Sequence, residues 1–509
     1  MALADHDLEA EGHMERKIKR GSGILLPLSA LPSPYGIGDL GRCARDFADF
    51  LVSAGQSYWQ LLPLGPTGYG DSPYSPFSTF AGNPYYLDPE ELVRRRLLER
   101  AELEGFHFGD DPRFVDYGQL YQERWRMLAL CAPRAWSLYG SEIEAFEAEN
   151  RDWLPDYALF MALKRHFGMV SWQEWPDEGA RLRDEETLNA YRKELAGDIR
   201  LFTFVQYEFF REYALFRAYV AERGIQLIGD LPIYVALDSA DVWANRALFQ
   251  LDEEGRPTAV AGVPPDYFSE DGQLWGNPLY DYEAMAADGY NWWIRRFAGC
   301  AGLCDILRID HFRGFESYWS VPAGEMTAKA GAWVKGPGMA LVGTLRDWFY
   351  DTPIIAEDLG ITTPAVQELL DASGFPGMKV LEFAFSPEEP SPYLPHSYEP
   401  NCVCYAGTHD NAPLGQWLQE GDKAELAFAR QYLGLDADAP LLWPILRAGL
   451  GSVASLFLFQ MQDALELGKE SRMNEPGTTL GNWRWRLLPG EAGVALAEKL
   501  KGLCRLYGR

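Results

Sequence analysis

Four acidic residues of the sequence, Asp230, Asp310, Glu357 and Asp410, each stand at or just after the end of a short apolar run. In an α/β barrel the carboxyl ends of the strands meet at one mouth, so four such runs would bring four carboxyl groups together. Crowded like charges raise one another's pKa, which keeps one carboxylic acid protonated as a general acid. Glycosyl transfer needs such a set: a carboxylate nucleophile, a proton donor and a third group that holds the sugar. Each acid taken alone could equally be a helix cap or half of an ion pair.

A divalent-metal site is the second chemistry that this pattern allows, because His311 and His409 stand beside two of the acids. Arg308, two residues before Asp310, is expected to point to the same face of its strand. A permanent cation there opposes a dication, whereas it keeps a nucleophilic carboxylate ionised. The pattern therefore favours glycosyl transfer, and we expect neither a metal nor another cofactor.

Eight apolar runs alternate along the chain with segments of helical spacing. The runs begin at Gly23, Tyr58, Gln226, Asp305, Pro353, Met378, Asn401 and Val453. Buried runs without strict alternation are typical of a parallel sheet that helices cover on both sides. Eight strand–helix units predict an α/β fold, a (β/α)8 TIM barrel rather than an open doubly wound sheet. We expect large, mainly helical insertions and no separate C-terminal β-sandwich domain.

The length of 509 residues exceeds that of a minimal barrel, which takes roughly 250 residues. We expect residues 21–509 to form a single catalytic barrel and the excess to lie in two insertions. The first, at about 67–224, has helical spacing, and the second, at about 244–299, is expected to be loop-rich and to include a lid. Residues 1–20 are expected to be an N-terminal tail in which Met14 is a candidate for the natural start.

The composition narrows the class of partner. With 46 Lys and Arg against 74 Asp and Glu, the net charge of −28 disfavours nucleic acid and anionic membrane surfaces. The sequence contains no apolar run long enough to span a membrane and no secretory signal at its start. Seven sparse cysteines do not form a disulfide framework, so a reducing compartment, the cytoplasm, is expected. The aromatic content of 14% suits a neutral, ring-shaped ligand.

Several strings of the sequence resemble those of one known family. They include LRIDHFRGF from Leu307, IIAEDLG from Ile354 and GTHDN from Gly407, together with GDSPYSPFSTFAGNPYY, GDLPIYVALDSADVW, WGNPLY and MNEPGTTLGNWRWR. In this order they are similar to the 4-alpha-glucanotransferase family, also called amylomaltase or disproportionating enzyme, of the α-amylase clan. The resemblance extends from about Gly23 to Arg486. It implies transfer of α-1,4-glucan segments between malto-oligosaccharides.

The resemblance also implies roles for the three central acids. Asp310 would be the nucleophile, Glu357 the acid and base, and Asp410 the carboxylate that stabilises the transition state. The reaction would be a retaining double displacement through a covalent glucosyl-enzyme intermediate, with the two key carboxyl groups about 5–5.5 Å apart. The segment 233–235, Ile-Tyr-Val, matches this family and lacks the Asn-His that many α-amylases carry, which favours a transferase.

Further side chains are expected to bind the glucan. A transferase must keep water from the intermediate, and the segment 262–278 is a candidate lid with Gly and Pro hinges and the aromatic residues Tyr267 and Phe268. An ordinary surface loop is the alternative for this segment. The residues that the resemblance implies in substrate binding are Tyr74, Asp230, Arg308, His409, Gln273, Trp275 and Asn277, with Tyr69 in a remote glucan groove.

The expected partners are malto-oligosaccharides and α-1,4-glucans such as amylose, starch and glycogen-derived dextrins, with glucose as acceptor and product. Two alternatives share this ligand class: an α-glucan hydrolase of the same clan, and a barrel that binds glucan without catalysis. A metal-dependent hydrolase is the third alternative. The product profile from maltotriose separates the transferase from the hydrolases.

Overall fold

The computed structural model describes residues 18–265, 269–360, 362–388 and 391–509, with the side chain of Tyr69 left out. Its strands are β1 Gly21–Leu25, β2 Tyr58–Gln60, β3 Gln226–Leu231, β4 Ala259–Val263, β5 Gln273–Pro278, β6 Ile306–Ile309, β7 Ser317–Pro322, β8 Ala332–Lys335, β9 Ile354–Ala356, β10 Gly377–Val380, β11 Cys402–Tyr405 and β12 Leu456–Gln460. The eight runs predicted as barrel strands correspond to β1, β2, β3, β6, β9, β10, β11 and β12, so these predictions are confirmed.

These eight strands form one parallel sheet in the order β10-β11-β12-β1-β2-β3-β6-β9. The backbone N–H of Ala356, on β9, donates to the carbonyl of Pro376, just before β10, at 3.0 Å, which brings the two edges of the sheet together. All eight strands contribute to a core of their own inside the ring, made of Leu25, Tyr58, Ile228, Ile306, Ile355, Met378, Val380, Val403, Tyr405, Leu456 and Leu458. The predicted (β/α)8 barrel is confirmed.

The α-helices cover the outside of the barrel and build the insertions. They are α1 Arg42–Ser53, α2 Pro89–Arg94, α3 Arg100–Leu103, α4 Tyr117–Glu149, α5 Leu154–His166, α6 Glu178–Leu182, α7 Glu185–Glu194, α8 Ala196–Glu222, α9 Ala240–Ala244, α10 Tyr282–Ala287, α11 Asn291–Ala301, α12 Met339–Trp348, α13 Pro364–Ser373, α14 Leu414–Glu420, α15 Lys423–Tyr432, α16 Leu442–Gly451, α17 Met461–Ala464 and α18 Val494–Tyr507. None of the described helices is long and apolar enough to cross a bilayer.

Helix α1 is an example of how the sequence determines where a helix packs and where it ends. Phe47, Ala48 and Leu51 recur at helical spacing and are buried in the main core. The helix ends just before Gly55, whose φ of 70° is left-handed and which therefore stops it without a Cβ penalty.

The segment between β2 and β3 is helical, with α2 to α8 in sequence. Its two long helices, α4 and α8, pack along each other. A buried carboxylate on α8, Glu208, accepts ion pairs from Arg95 at 3.1 Å and from Arg211 at 2.7 Å. Because a buried charge is stable only when it is paired, the contact with Arg95, just after α2, holds α8 against the start of the insertion, whereas Arg211 lies on α8 itself.

A second sheet lies over the barrel mouth, with β5, β4, β7 and β8 antiparallel in that order. The second insertion, expected to be loop-rich, thus also contains the hairpin β4–β5. Strand β4, AVAGV, is an apolar run with a buried centre, whereas Gly276 interrupts β5 and residues 274–276 of that strand are exposed. Strand β5 therefore lacks the apolar pattern that predicts a strand from sequence.

Candidate active site

The mouth of the barrel is built on a two-residue periodicity. Asp230 follows the interior residue Ile228 by two positions, and Arg308 follows Ile306 in the same way on the neighbouring strand. Nη1 of Arg308 lies 2.7 Å from each carboxylate oxygen of Asp230, and Nη2 lies 3.0 Å from Oδ1 of Asp310. Arg308 is only 3% exposed. One buried cation therefore forms ion pairs with two carboxylates, and the cluster keeps a net negative charge.

Glu357 stands on the next strand of the ring, two positions after the interior residue Ile355. Its Oε2 accepts the backbone N–H of His311 at 2.6 Å, and its Oε1 accepts the N–H of Leu359 at 2.9 Å. His311 has a left-handed backbone at φ 54°, which turns the chain sharply just after Asp310 and aims this N–H at Glu357. The Glu357 carboxylate is thus held by the turn that follows Asp310 on the neighbouring strand.

The acids share one electrostatic environment. Burial raises the pKa of Asp310, Arg308 lowers it, and the charges of Asp230, Glu357 and Asp410 raise it again. Burial also raises the pKa of Glu357, which Arg308 and the two backbone N–H donors oppose. Burial is the largest of the effects on Asp310, and together they raise the pKa of Asp310 to about 8. The contact with Arg308 is the main influence that favours the ionised form of Asp310.

Asp410 is held in a turn after β11. Its Oδ1 accepts the side-chain N–H of Asn474 at 2.6 Å and lies 3.3 Å from Nε2 of His409. Its backbone carbonyl accepts Nη2 of Arg472 at 3.1 Å. The Asp410 side chain is 43% exposed, so part of the carboxylate faces the open mouth, where a sugar hydroxyl can donate to it.

Tyr74 joins the acids from the first insertion. Its hydroxyl donates to Oδ2 of Asp230 at 2.8 Å, and its ring stacks on His409 with the centroids 5.0 Å apart. Burial raises the pKa of Tyr74 well above its usual range and lowers the pKa of His409, so both side chains are neutral. The structure thus brings seven predicted site residues into one mouth: Tyr74, Asp230, Arg308, Asp310, Glu357, His409 and Asp410.

The residues predicted on the lid take different positions. The ring of Trp275 meets His311 edge-on with the centroids 4.8 Å apart, and its Nε1 donates to Oε1 of Gln273 at 3.1 Å. The side chain of Asn277 instead donates to the carbonyl of Val235 at 2.8 Å, which ties β5 to the loop after β3. The other predicted aromatic positions, Tyr267, Phe268 and the side chain of Tyr69, lie outside the described part of the chain.

Three further residues of the site were not predicted: Arg472, Asn474 and Trp483. They belong to the segment of residues 472–487, which comes after α17 in the sequence. No helix or strand is assigned to this described segment. This segment pairs with residues 113–115 of the first insertion through N–H to carbonyl bonds of 2.8 Å, from Val115 to Arg484 and from Arg486 to Arg113. The string that contains them shows no spacing that would place them at the mouth.

Comparison with known proteins identifies the relatives of this chain. A family model described as 4-alpha-glucanotransferase matches residues 26–490. The 4-alpha-glucanotransferase of Thermus thermophilus is 47% identical over 505 residues, which cover 97% of this chain and 100% of that protein. That of Streptococcus pneumoniae is 46% identical over 493 residues, which cover 96% of this chain and 98% of that protein.

Solved structures show the same relationship in three dimensions. The amylomaltase from Streptococcus agalactiae in complex with acarbose superimposes with a TM-score of 0.94 at 39% identity, over 96% of this chain and 100% of that one. The amylomaltase from Corynebacterium glutamicum, at 20% identity, has a TM-score of 0.76 over 95% of this chain and 73% of that one, and shows that the fold is shared.

Proposed function

The chain belongs to the 4-alpha-glucanotransferase family and catalyses glucan transfer, and from this premise we propose that Asp310, Glu357 and Asp410 carry out the reaction on malto-oligosaccharides. The observation that carries the assignment is the contact of Arg308 with both Asp230 and Asp310. It distinguishes Asp310, which forms an ion pair with Arg308, from Glu357, which accepts the backbone N–H groups of His311 and Leu359; on this difference we assign Asp310 as the nucleophile and Glu357 as the proton donor.

In the first step the Asp310 carboxylate attacks the anomeric carbon of the donor sugar. The bond from that carbon to the glycosidic oxygen breaks, and Glu357 gives its proton to the departing oxygen. The products are a glucosyl ester of Asp310 and a shortened glucan with a free 4-hydroxyl group. Asp410 accepts hydrogen bonds from hydroxyls of the same sugar, and these bonds strengthen as the ring flattens in the transition state.

In the second step the ionised Glu357 takes the proton of an acceptor 4-hydroxyl, whose oxygen attacks the anomeric carbon. The ester bond to Asp310 breaks, so the new linkage has the configuration of the old one. Water would give hydrolysis by the same path. The hairpin β4–β5, which reaches the mouth through Trp275 and His311, is in position to cover the intermediate until an acceptor binds.

We further propose that the substrates are maltotriose and longer α-1,4-glucans, with glucose as acceptor and product. The open side of Asp410 and the neutral rings of Tyr74 and His409 suit an uncharged sugar rather than an anionic one. All seven cysteines are unpaired, which supports a reducing compartment, the cytoplasm.

The product profile from maltotriose tests the proposed substrate and reaction. Transfer yields glucose and a ladder of longer oligosaccharides while the number of reducing ends stays nearly constant. A steady rise of reducing ends would show that hydrolysis dominates and would overturn the proposal.

The roles of the acids are tested by substitution. Asp310→Asn keeps the shape of the side chain but removes the nucleophile, so we expect transfer to be lost while maltoheptaose still binds, as measured by calorimetry. Asp305→Asn, on the preceding turn and away from the mouth, is the matched control and is expected to keep its turnover. Unchanged turnover in Asp310→Asn would refute the nucleophile assignment.

A further inference from the structure

Trp483 has a backbone conformation that a bulky residue rarely adopts. Its φ is +63°, in the left-handed region, where a side chain other than glycine costs about 1–2 kcal/mol. The side chain is nevertheless only 5% exposed. Such strain persists only where the surroundings hold the residue in place, and it is concentrated at functional sites.

The surroundings of Trp483 supply that hold. Its N–H donates to the carbonyl of Met473 at 2.7 Å, and its carbonyl accepts the hydroxyl of Tyr117, on α4, at 2.9 Å. The residues that follow pair with 113–115 of the first insertion. The backbone of Trp483 is thus fixed from both sides, by its own segment and by the insertion.

The fixed backbone sets the indole against two residues of the mouth. The Trp483 ring lies 5.8 Å from the Tyr74 ring and 5.8 Å from the His409 ring, centroid to centroid, at tilts of 38° and 40°. Tyr74 and His409 stack on each other, so the three rings form one cluster. Two members of this cluster contact acids: the hydroxyl of Tyr74 donates to Asp230, and Nε2 of His409 lies 3.3 Å from Oδ1 of Asp410.

We propose that Trp483 is a positioning residue for glucan transfer, which holds Tyr74 and His409 where they orient Asp230 and Asp410 around the reacting sugar. The inference rests on the proposed function of this mouth and adds a residue to it. Trp483 acts through the contacts of its ring with those of Tyr74 and His409. The left-handed backbone of Trp483 directs its indole toward the rings of Tyr74 and His409.

Loss of the indole is expected to disturb the position of the reacting sugar more than the binding of the other sugars of the glucan. A misplacement of about 1 Å at the reacting groups costs on the order of 100-fold in rate. Sugars bound further along the chain keep their contacts. Trp483→Leu should therefore lower kcat about 100-fold and change KM for maltotriose by less than about threefold. Trp483→Phe keeps a ring and should recover most of kcat.

Trp483→Gly separates the side chain from the backbone. Glycine adopts φ +63° without strain, so this variant relieves the backbone and still lacks the ring. We expect it to have the low kcat of Trp483→Leu. If relief of strain restored kcat, the backbone and not the ring would be responsible, and the proposal would fail.

Trp485→Leu is the matched control for Trp483→Leu. Trp485 is equally buried in the same segment and is set beside Arg113, not beside the mouth. We expect it to lower the melting temperature without a change in kcat. An equal fall of kcat in Trp485→Leu and Trp483→Leu would show a general loss of stability and overturn the proposal.

A double-mutant cycle tests whether Trp483 acts through His409. His409→Ala removes one end of the contact, so adding Trp483→Leu to it should lower kcat by a much smaller factor than Trp483→Leu does in the wild type. Full additivity of the two effects would contradict a role that acts through His409. Failure of the proposed function itself would show separately, as turnover that survives in Asp310→Asn.

Discussion

Nη1 of Arg308 donates to both carboxylate oxygens of Asp230 at 2.7 Å. This bifurcated contact turns the rest of the guanidinium toward Asp310, where Nη2 forms the second ion pair. Asp230 thus orients the cation, although its own charge raises the pKa of Asp310. An arginine fork can serve two acids in fixed directions, which a lysine ammonium on a flexible stem cannot.

Arg308→Lys should therefore impair the enzyme although the charge is kept. Arg308 lowers the pKa of Asp310, so a poorly placed ammonium lets that pKa rise, and less of the nucleophile is ionised at a given pH. We expect kcat to fall about 100- to 1,000-fold and the acidic limb of kcat/KM to move to higher pH. Arg313→Lys, which alters a buried arginine that packs over Trp333, is the control. An acidic limb that stays in place would contradict the role of Arg308.

Azide rescue distinguishes the two key acids by the configuration of the product. With α-maltosyl fluoride as donor, Glu357→Ala still forms the ester of Asp310, because fluoride leaves without an acid. Azide then attacks the ester and gives the α-azide. In Asp310→Ala azide replaces the missing nucleophile and gives the β-azide. Identification of the two azides by NMR checks the assignment, and the opposite pairing of variants and products would reverse it.

Trp275→Ala should raise the share of hydrolysis. Trp275 packs on His311, whose N–H fixes Glu357, so its loss both opens the mouth to water and loosens the acid. We expect transfer from maltotriose to fall about 10-fold while reducing ends are released faster relative to it. The control is Trp333→Ala, a 42% exposed residue on β8 of the same sheet. If both variants kept the wild-type ratio of hydrolysis to transfer, β5 would have no part in excluding water.

The stability of the protein should depend on the protonation of Asp241. Burial raises the pKa of this carboxyl to about 6, against the N–H of Thr79 and the charge of Arg296. The folded state binds the proton more tightly than the unfolded state, whose pKa is about 4. This stabilisation is complete below pH about 4 and is lost as pH rises through about 6, which lowers the free energy of unfolding by up to about 3 kcal/mol.

Asp241→Asn cannot titrate, and its amide oxygen can still accept the Thr79 N–H. We expect the variant to gain stability relative to the wild type as pH rises from about 4 to about 7. Urea unfolding at both ends of this range measures the difference, with the exposed Asp46→Asn on α1 as control. A constant difference between variant and wild type across the range would show that Asp241 does not bind the proton.

The barrel and most of its mouth could be predicted because they follow from local patterns. Buried strands are continuous apolar runs, and the period of two places Asp230, Arg308 and Asp310 on the interior face once the strands are known. The hairpin β4–β5 could not be predicted in the same way, since Gly276 interrupts β5 and the three consecutive residues 274–276 are exposed.

Trp483 and Asn474 could not be predicted because their positions depend on contacts distant in sequence. Neither lies on a strand, and nothing within a few residues points them to the mouth. Pairing with residues 113–115 and the bond to Asp410 place them. For Asn277 the residue type alone was misleading. An asparagine amide can bind a sugar hydroxyl, but the amide of Asn277 donates to the backbone carbonyl of Val235.

The pairing of residues 113–115 with 484–486 has a consequence for how the enzyme is made. At the bond from Arg484 to Val115 the two partners are 369 positions apart in sequence. Contacts of such separation form slowly, because closing a long loop costs chain entropy before any contact repays it. A nascent chain that already contains Asp310 and Glu357 still lacks the side chains that hold Asp410 and His409. We therefore expect catalytic competence to arrive late in folding, when this C-terminal segment docks on the insertion.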